Sequence, residues 1–188
     1  MAKIPQSQEA GRTVALLRGV NVGGRNKVAM AELRGVVEGL GYSEVETHLQ
    51  SGNVVCAVAG DAPQRVAAKL EAAIEDAFGF AIPVLARTAA ELRAAVAANP
   101  LVDMAENPSR LLVTFLSGPV DREKLEGVDA DAFAPDRFAA GEREIYVWAP
   151  DGVSETKLTW AFWERRLGVI ATARNWNTVT RLLELAGG

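Results

Sequence analysis

The order of hydrophobic patterns along the first half of the chain is the feature that most constrains its fold. Runs of β-branched and aliphatic residues, which favour strands, are interspersed with apolar residues spaced by three and four, which favour amphipathic helices. The predicted strands cover 13–20, 43–50, 54–58 and 81–87, and the predicted helices cover 30–40 and 63–78. This order, βαββαβ, is that of the split βαβ or ferredoxin-like unit.

A similar order returns after a Pro- and Asn-rich connection at 99–109, which follows a helix predicted at 88–98. The second-half predictions are a strand at 110–118, a helix at 120–128, two strands within 131–150 around Gly141, a helix at 154–168, a strand at 169–173 and a closing helix at 175–186. We therefore predict an α+β fold, a tandem duplication of a ferredoxin-like βαββαβ unit plus a C-terminal helix. The predicted parts are a disordered tail at 1–11, a first half at 12–98 and a second half at 110–188.

Composition and charge limit the classes of function. Of the 188 residues, 49% are hydrophobic and 23% are charged, which is typical of a globular chain. The net charge of -4 argues against a broad attraction to nucleic acid. The sequence has no signal-peptide core and no apolar run long enough to span a bilayer, so we expect a cytoplasmic protein without membrane contact. Cys56 is the only cysteine, which excludes an intramolecular disulfide.

Two polar loops of the first half are predicted to meet at one edge of its sheet. In a split βαβ unit the first two strands run parallel, with the third strand antiparallel between them. The loop after strand one (19–27) and the turn after strand two (50–53) then lie side by side, next to a helix N-terminus that favours anions. The candidate ligand contacts here are Arg18, Asn21, Gly23, Gly24, Arg25, Lys27, Gln50, Ser51 and Asn53. The glycines would let peptide N–H groups approach the ligand, and the basic residues would supply charge.

The same reasoning selects the opposite edge of the second half. Strands three and four of that half end together, so the helix predicted to begin near 154–157 should lie beside the start of the last helix. The candidate contacts there are Lys157, Arg174, Asn175 and Asn177, with Asn175 or Asn177 also expected as the N-cap of the last helix. An arginine near a helix N-terminus is suited to a phosphate or a carboxylate. Whether the two edges meet depends on how the halves pack.

Known catalytic and cofactor motifs do not fit the chain. The loop at 18–27 is neither a Walker A loop nor a dinucleotide-binding GxGxxG sequence. Ser154–Lys157 matches S-x-x-K, but the companion motifs of the penicillin-binding serine enzymes are missing. His48 is the only histidine, and the acidic residues lack metal-binding spacing. We therefore predict no metal site and no cofactor.

Four segments together resemble one family over nearly the whole chain. They are ALLRGVNVGGRNKVAMAELR (15–34), LQSGNVV (49–55), TKL (156–158) and TARNWNTVTRLLEL (172–185). They resemble the bacterial family catalogued as domain of unknown function 1697. The resemblance implies a soluble bacterial protein with a duplicated ferredoxin-like architecture, and it brings no established reaction. Thr156 stands where that family suggests serine, a change that would retain a capping hydroxyl.

Three functions stay open from the sequence. The first is a module that binds a phosphorylated or carboxylated small molecule, such as a nucleotide, at the strand-edge loops. The second is a small phosphohydrolase of the acylphosphatase kind, in which Arg18 would hold the phosphate and Asn53 or Gln50 would position water; this is an analogy of fold only. The third is single-stranded nucleic-acid binding, which the absence of aromatic residues from the first-half strands argues against. Catalysis, substrate and oligomeric state cannot be read from the sequence.

Overall fold

The first four-stranded sheet is built from the N-terminal half of the chain. A computed structural model describes residues 11–187. The strands are β1 (Gly11–Leu17), β2 (Ser43–His48), β3 (Asn53–Val58) and β4 (Val84–Thr88), and the helices are α1 (Met30–Gly39), α2 (Pro63–Phe78) and α3 (Ala89–Ala97). The strand order is β2-β3-β1-β4 with antiparallel neighbours, so β3 lies between the parallel strands β1 and β2 as the sequence predicts.

The second sheet is built from the C-terminal half in the same way. Its strands are β5 (Leu111–Leu116), β6 (Arg137–Ala140), β7 (Glu144–Trp148) and β8 (Ala171–Asn175), and its helices are α4 (Arg122–Glu126), α5 (Trp160–Leu167) and α6 (Trp176–Leu185). The order β6-β7-β5-β8 is again antiparallel throughout. The fold is therefore α+β, with two four-stranded antiparallel sheets of matching strand order.

The part of the chain that the structure describes contains three apolar clusters of buried residues, and one of them is shared by both sheets. The outer face of the first sheet packs on α1 and α2, and the outer face of the second sheet packs on α5. The inner faces of the two sheets contribute to a common cluster together with α3 and α6; its largest buried members include Leu16, Leu92, Phe115 and Tyr146. The hydroxyl of Tyr146 donates to the carbonyl of Ala95 on α3 at 2.7 Å, which ties the halves together inside this core. The positions of the two sheets are thus fixed by buried apolar surface.

The helix predicted to begin at residue 154 begins six residues later in the structure. It begins at Trp160, with Thr159 as the N-cap that accepts a hydrogen bond from the N–H of Phe162. The preceding residues form a turn, because the hydroxyl of Thr156 donates to Asp136 at 2.6 Å and accepts from the N–H of Leu158. The expectation that Thr156 caps this helix, and that the helix starts near Lys157, is therefore wrong.

Two predicted helix caps are confirmed. Thr88 and Glu91 form a complete capping box at the start of α3. Asn175 caps α6 by accepting from the N–H of Thr178 at 2.9 Å, whereas Asn177 is an exposed residue of the first turn.

The remaining sequence predictions on structure concern the N-terminal tail and membrane-spanning segments. The tail predicted at 1–11 lies outside the described residues except for Gly11, which begins β1. None of the helices between residues 11 and 187 combines the length and the apolar character that crossing a bilayer requires.

Candidate functional site

The loop after β1 and the β2–β3 turn lie against each other, as the topology predicts. The side-chain amide of Asn21 donates to the carbonyl of Gln50 at 2.7 Å and so joins the two segments. Gly52 has a positive φ of 76° and packs so closely on the end of β1 and the loop after it that a Cβ atom there would lie 2.7 Å from Leu17 Cβ and 2.6 Å from Val20 Cγ2. The two polar loops therefore form one continuous edge of the first sheet, which we call the first edge (residues 18–28 and 49–53).

The loop of the first edge is held in shape by its own asparagines. Asn21 accepts from the N–H of Val28 at 3.0 Å and donates to the same residue's carbonyl at 2.9 Å. Asn26 donates to the carbonyl of Gly19 at 3.2 Å. Both asparagines have a positive φ, which asparagine tolerates better than most residues. These hydrogen bonds define the backbone conformation of the loop.

The tip of the loop is a tight turn that exposes basic side chains. The N–H of Arg25 donates to the carbonyl of Val22 at 3.1 Å, and the central residues Gly23 and Gly24 have φ of 58° and 75°, the signs that a type I′ turn requires. Arg25 and Lys27 are exposed, and within residues 11–187 neither forms an ion pair. The tip thus carries two cationic side chains and two small residues on a fixed backbone.

Arg18 at the base of the loop is held by the second half of the chain. Its Nη2 donates to Glu164 Oε2 at 2.7 Å, and its guanidinium carbon lies 4.4 Å from the centroid of the Trp160 ring. The side chain is three-quarters buried by these contacts. Arg18 therefore links the first edge to α5.

Arg174 and Asn53 come together from the two halves of the chain. Arg174 Nε donates to Asn53 Oδ1 at 2.5 Å, and its Nη2 donates to the carbonyls of Leu17 at 2.7 Å and Ser51 at 3.1 Å. Asn53 is fully buried, and its amide also donates to the carbonyl of His48. The two predicted edges therefore do meet, through Arg174, and we call this set of contacts the Arg174 clamp.

Burial sets the charge properties of the Arg174 clamp. Arg174 is 8% exposed and its acceptors are neutral, and burial lowers its pKa to about 10. At neutral pH the guanidinium stays charged and donates to every acceptor around it. Arg174 Nε and Nη2 and Asn53 Oδ1 bond between the two halves, whereas the Asn53 amide and Arg174 Nη1 bond within their own halves. The role of these two residues as ligand contacts stays a prediction.

The side chains of the remaining second-half candidates form no hydrogen bond with Arg174 among residues 11–187. Lys157 is exposed beside a hollow of about 210 Å³ that it shares with three acidic side chains, Asp136, Asp151 and Glu155. Across the described part of the chain no hydrogen bond or ion pair joins Lys157 to Arg174 or Asn175. Lys157 precedes α5 in a turn instead of opening it, and its predicted grouping with Arg174 and Asn175 stays a prediction.

A second arginine contact between the halves was missed by the sequence reasoning. Arg87, on the last strand of the first sheet, is buried and donates through Nε to Glu144 Oε1 at 3.3 Å and through Nη2 to the carbonyl of Leu116 at 2.8 Å. Glu144 begins the third strand of the second half, as Asn53 begins the third strand of the first half. Leu116 ends the first strand of the second half, as Leu17 does in the first half. We call this set the Arg87 clamp.

A signal for the Arg87 clamp was present in the sequence. Ala86-Arg87-Thr88 and Ala173-Arg174-Asn175 each end a short strand, and in each the third residue caps the following helix. A buried arginine at the same place in both halves indicates a contact that each half makes with the other.

Only the backbone carbonyl of His48 takes part in the Arg174 clamp, as the acceptor of a hydrogen bond from Asn53. Burial and, to a smaller extent, nearby Arg181 lower its pKa, so the neutral imidazole is favoured.

Comparisons with known proteins agree with this fold. The model of the family described as "Protein of unknown function (DUF1697)" matches residues 11–146. No curated protein matches the chain. Among solved structures, the conserved bacterial protein SP0830 from Streptococcus pneumoniae is similar at 24% identity, with a TM-score of 0.73 over 94% of this chain and 98% of that one. At this identity the likeness shows a shared fold alone.

Proposed function

We propose that this chain, which belongs to the family of proteins of unknown function DUF1697, binds a small phosphorylated or carboxylated molecule at the tip of the first edge. The observation that carries the proposal is the fixed loop that presents Arg25 and Lys27 without ion-pair partners among residues 11–187. A loop that is ordered before binding loses little conformational entropy when an anion arrives.

The residues of the first edge divide into two roles in this proposal. Arg25 and Lys27 supply charge, and the peptide groups of Gly23 and Gly24 supply hydrogen bonds at close approach. Asn21, Asn53 and Arg174 hold the backbone that carries them. Gln50 joins the contact surface, since its side chain is exposed beside the loop.

No contact among residues 11–187 favours the phosphohydrolase alternative. Asn53 is fully buried, with its carbonyl oxygen bound to Arg174 and its amide bound to His48, so neither atom is placed to position water. Arg18 is paired with Glu164. Nucleic-acid binding likewise draws no support from the sheets, whose inner faces are covered by the shared core.

The proposal also covers the duplication of the fold, the bacterial source and the cytoplasmic location. We infer that the halves are duplicated ferredoxin-like units, divided at 99–109; the matching strand orders and the two arginine clamps support this. We propose a bacterial, cytoplasmic protein, in keeping with a single buried thiol at Cys56.

The test is a nuclear magnetic resonance titration of the ¹⁵N-labelled chain with AMP, compared with adenosine. We expect AMP to shift the amide signals of Gly23, Gly24 and Arg25 in a saturable way, whereas adenosine leaves them in place. Arg25→Ala with Lys27→Ala should weaken binding by at least tenfold because both charges are lost. Arg137→Ala, at an exposed arginine of the other half, is the matched control and should bind like wild type. If inorganic phosphate, citrate and AMP all leave these amides unshifted at millimolar concentration, the proposal is wrong.

A further inference from the structure

The two arginine clamps belong to a wider set of contacts that occurs once at each edge. The N–H of Arg18 donates to the carbonyl of Pro83, the residue before β4, and the N–H of Ser117 donates to the carbonyl of Ile170, the residue before β8. Arg18 and Ser117 each follow the last residue of their sheet's first strand. The two positions are therefore structural equivalents, and we call the end of β5 with the β6–β7 turn the second edge (residues 117–120 and 141–144).

A glutamate on the preceding helix occupies the same position at each edge. Glu164 Oε1 accepts from the N–H of Ala171, which begins β8, at 2.9 Å. Glu71 Oε1 accepts from the N–H of Val84, which begins β4, at 2.8 Å. Glu71 on α2 and Glu164 on α5 are thus equivalent residues, each with one carboxylate oxygen bound to a strand.

The second carboxylate oxygen is used at one edge and left without a donor at the other. Glu164 Oε2 accepts from the guanidinium of Arg18 at 2.7 Å. No donor within residues 11–187 reaches Glu71 Oε2, because the equivalent of Arg18 is the short side chain of Ser117. The first edge therefore shows what chemical group satisfies this carboxylate in this fold.

The aromatic ring that covers the guanidinium is also missing at the second edge. Trp160 lies one helical turn before Glu164 and stacks on Arg18. The residue one turn before Glu71 is Ala67. An indole and a guanidinium at the first edge are thus replaced by a methyl group and a hydroxymethyl group at the second.

The volume left by these smaller side chains is a cavity. It measures about 190 Å³, and its lining includes Ala67, Glu71, Arg87, Ser117, Arg143 and Ile170. Each of its two arginines has a carboxylate nearby: Arg87 lies 3.3 Å from Glu144, and Arg143 lies 3.6 Å from Glu91. No ion pair with Glu71 is present among residues 11–187. The charge that remains uncompensated is that of Glu71, so a cation is favoured in this cavity.

We propose that the cavity at the second edge binds a small guanidinium compound, anchored on Glu71 Oε2 in the way that Glu164 holds Arg18. Because Val84 already occupies Glu71 Oε1, the guanidinium donates one N–H group to Oε2, as Arg18 does to Glu164, and its flat face packs on the apolar side of the cavity. This site is separate from the anion site of the first edge and does not depend on it.

The probe is methylguanidinium, with N-methylurea as its neutral isostere, titrated into the ¹⁵N-labelled full chain. We expect methylguanidinium to shift the amide signals of Val84, Ser117 and Ile170 in a saturable way at millimolar concentration. N-methylurea at the same concentration should leave them in place, because it has no charge to offer Glu71. Equal shifts with both compounds, or none with methylguanidinium, would overturn the proposal.

Two variants test the anchor and the shape of the cavity. Glu71→Gln keeps an acceptor for Val84 but removes the charge, and we expect at least tenfold weaker binding; Glu155→Gln, at an exposed glutamate elsewhere, should bind like wild type. Ser117→Arg places a guanidinium beside Glu71, as Arg18 lies beside Glu164 at the first edge. This variant should therefore abolish probe binding and raise the melting temperature. Binding that persists unchanged in Ser117→Arg would overturn the proposal even where Glu71→Gln fails to fold.

Discussion

Replacing Arg174 by methionine tests whether the Arg174 clamp holds the two halves together. Methionine keeps most of the unbranched aliphatic volume and removes all the donors. The donors lost include those to Asn53 Oδ1 and to the carbonyls of Leu17 and Ser51. Because Asn53 is fully buried and Leu17 lies beneath the clamp, water cannot readily replace them.

The expected loss of stability follows from these acceptors. A buried acceptor left without a donor costs about 1–3 kcal/mol. Two such acceptors, Asn53 Oδ1 and the carbonyl of Leu17, give about 2–6 kcal/mol, and removing the desolvation cost of a buried guanidinium offsets part of this. We expect a net loss of about 3 kcal/mol in the free energy of unfolding, which for a chain of this size lowers the melting temperature by about 6–12 °C.

Urea denaturation measures this loss with two probes. Tryptophan fluorescence reports on the second half, which holds all four tryptophans, and far-ultraviolet circular dichroism reports on both halves. Coincident transitions would justify a two-state free energy. Arg137→Met, at an exposed arginine, is the control and should change stability by less than about 0.5 kcal/mol. If Arg174→Met is no less stable than this control, the clamp does not join the halves.

Three other predictions concern a thiol, an imidazole and the first-edge loop. Burial raises the pKa of Cys56 to about 11, so Ellman's reagent should label the native thiol at pH 8 only as fast as the chain opens, and labelling should accelerate in urea. Arg181→Ala should raise the pKa of His48 toward its ordinary value, as measured on the imidazole signal of the only histidine. Because the pKa of His48 is lowered in the folded chain, protonation favours the unfolded chain. Wild-type stability should therefore fall as the pH drops through 6.5. Asn21→Ala should broaden or shift the amide signals of 21–28, because the loop loses three hydrogen bonds to its own backbone and to Gln50; unchanged signals would contradict the role of Asn21.

The order and topology of the elements could be predicted because they depend on local periodicity. The stripe of α2 and the alternation of β2 are properties of short windows, and the rule for split βαβ units then places the loops at one edge. The start of α5 could not be predicted in this way. It depends on the hydrogen bond between Thr156 and Asp136, which joins residues far apart in sequence.

The partners of the arginines were beyond the sequence for a related reason. A lone arginine at the end of a strand indicates anion binding as readily as burial, and only the packing of the sheets decides between them. That packing depends on apolar residues of the shared core, such as Leu16 and Phe115. The sequence of one half alone does not indicate which residues of the other half they contact. The glycine-rich loop predicts Arg25 and Lys27 as ligand contacts; both residues are exposed, and that role stays a prediction.

The Arg87 clamp differs from the Arg174 clamp in one respect that makes it more sensitive to substitution. Arg87 is paired with the carboxylate of Glu144, which is 6% exposed, whereas Arg174 is paired with the neutral amide of Asn53. Arg87→Met would leave a buried carboxylate without its cation, a loss of about 3–5 kcal/mol. Adding Glu144→Gln removes that charge, so the double variant should be more stable than Arg87→Met alone, by about 1–3 kcal/mol in urea denaturation. A double variant no more stable than the single one would show that the Glu144 carboxylate escapes to solvent when Arg87 is removed, and would refute the reason given for the greater sensitivity of the Arg87 clamp.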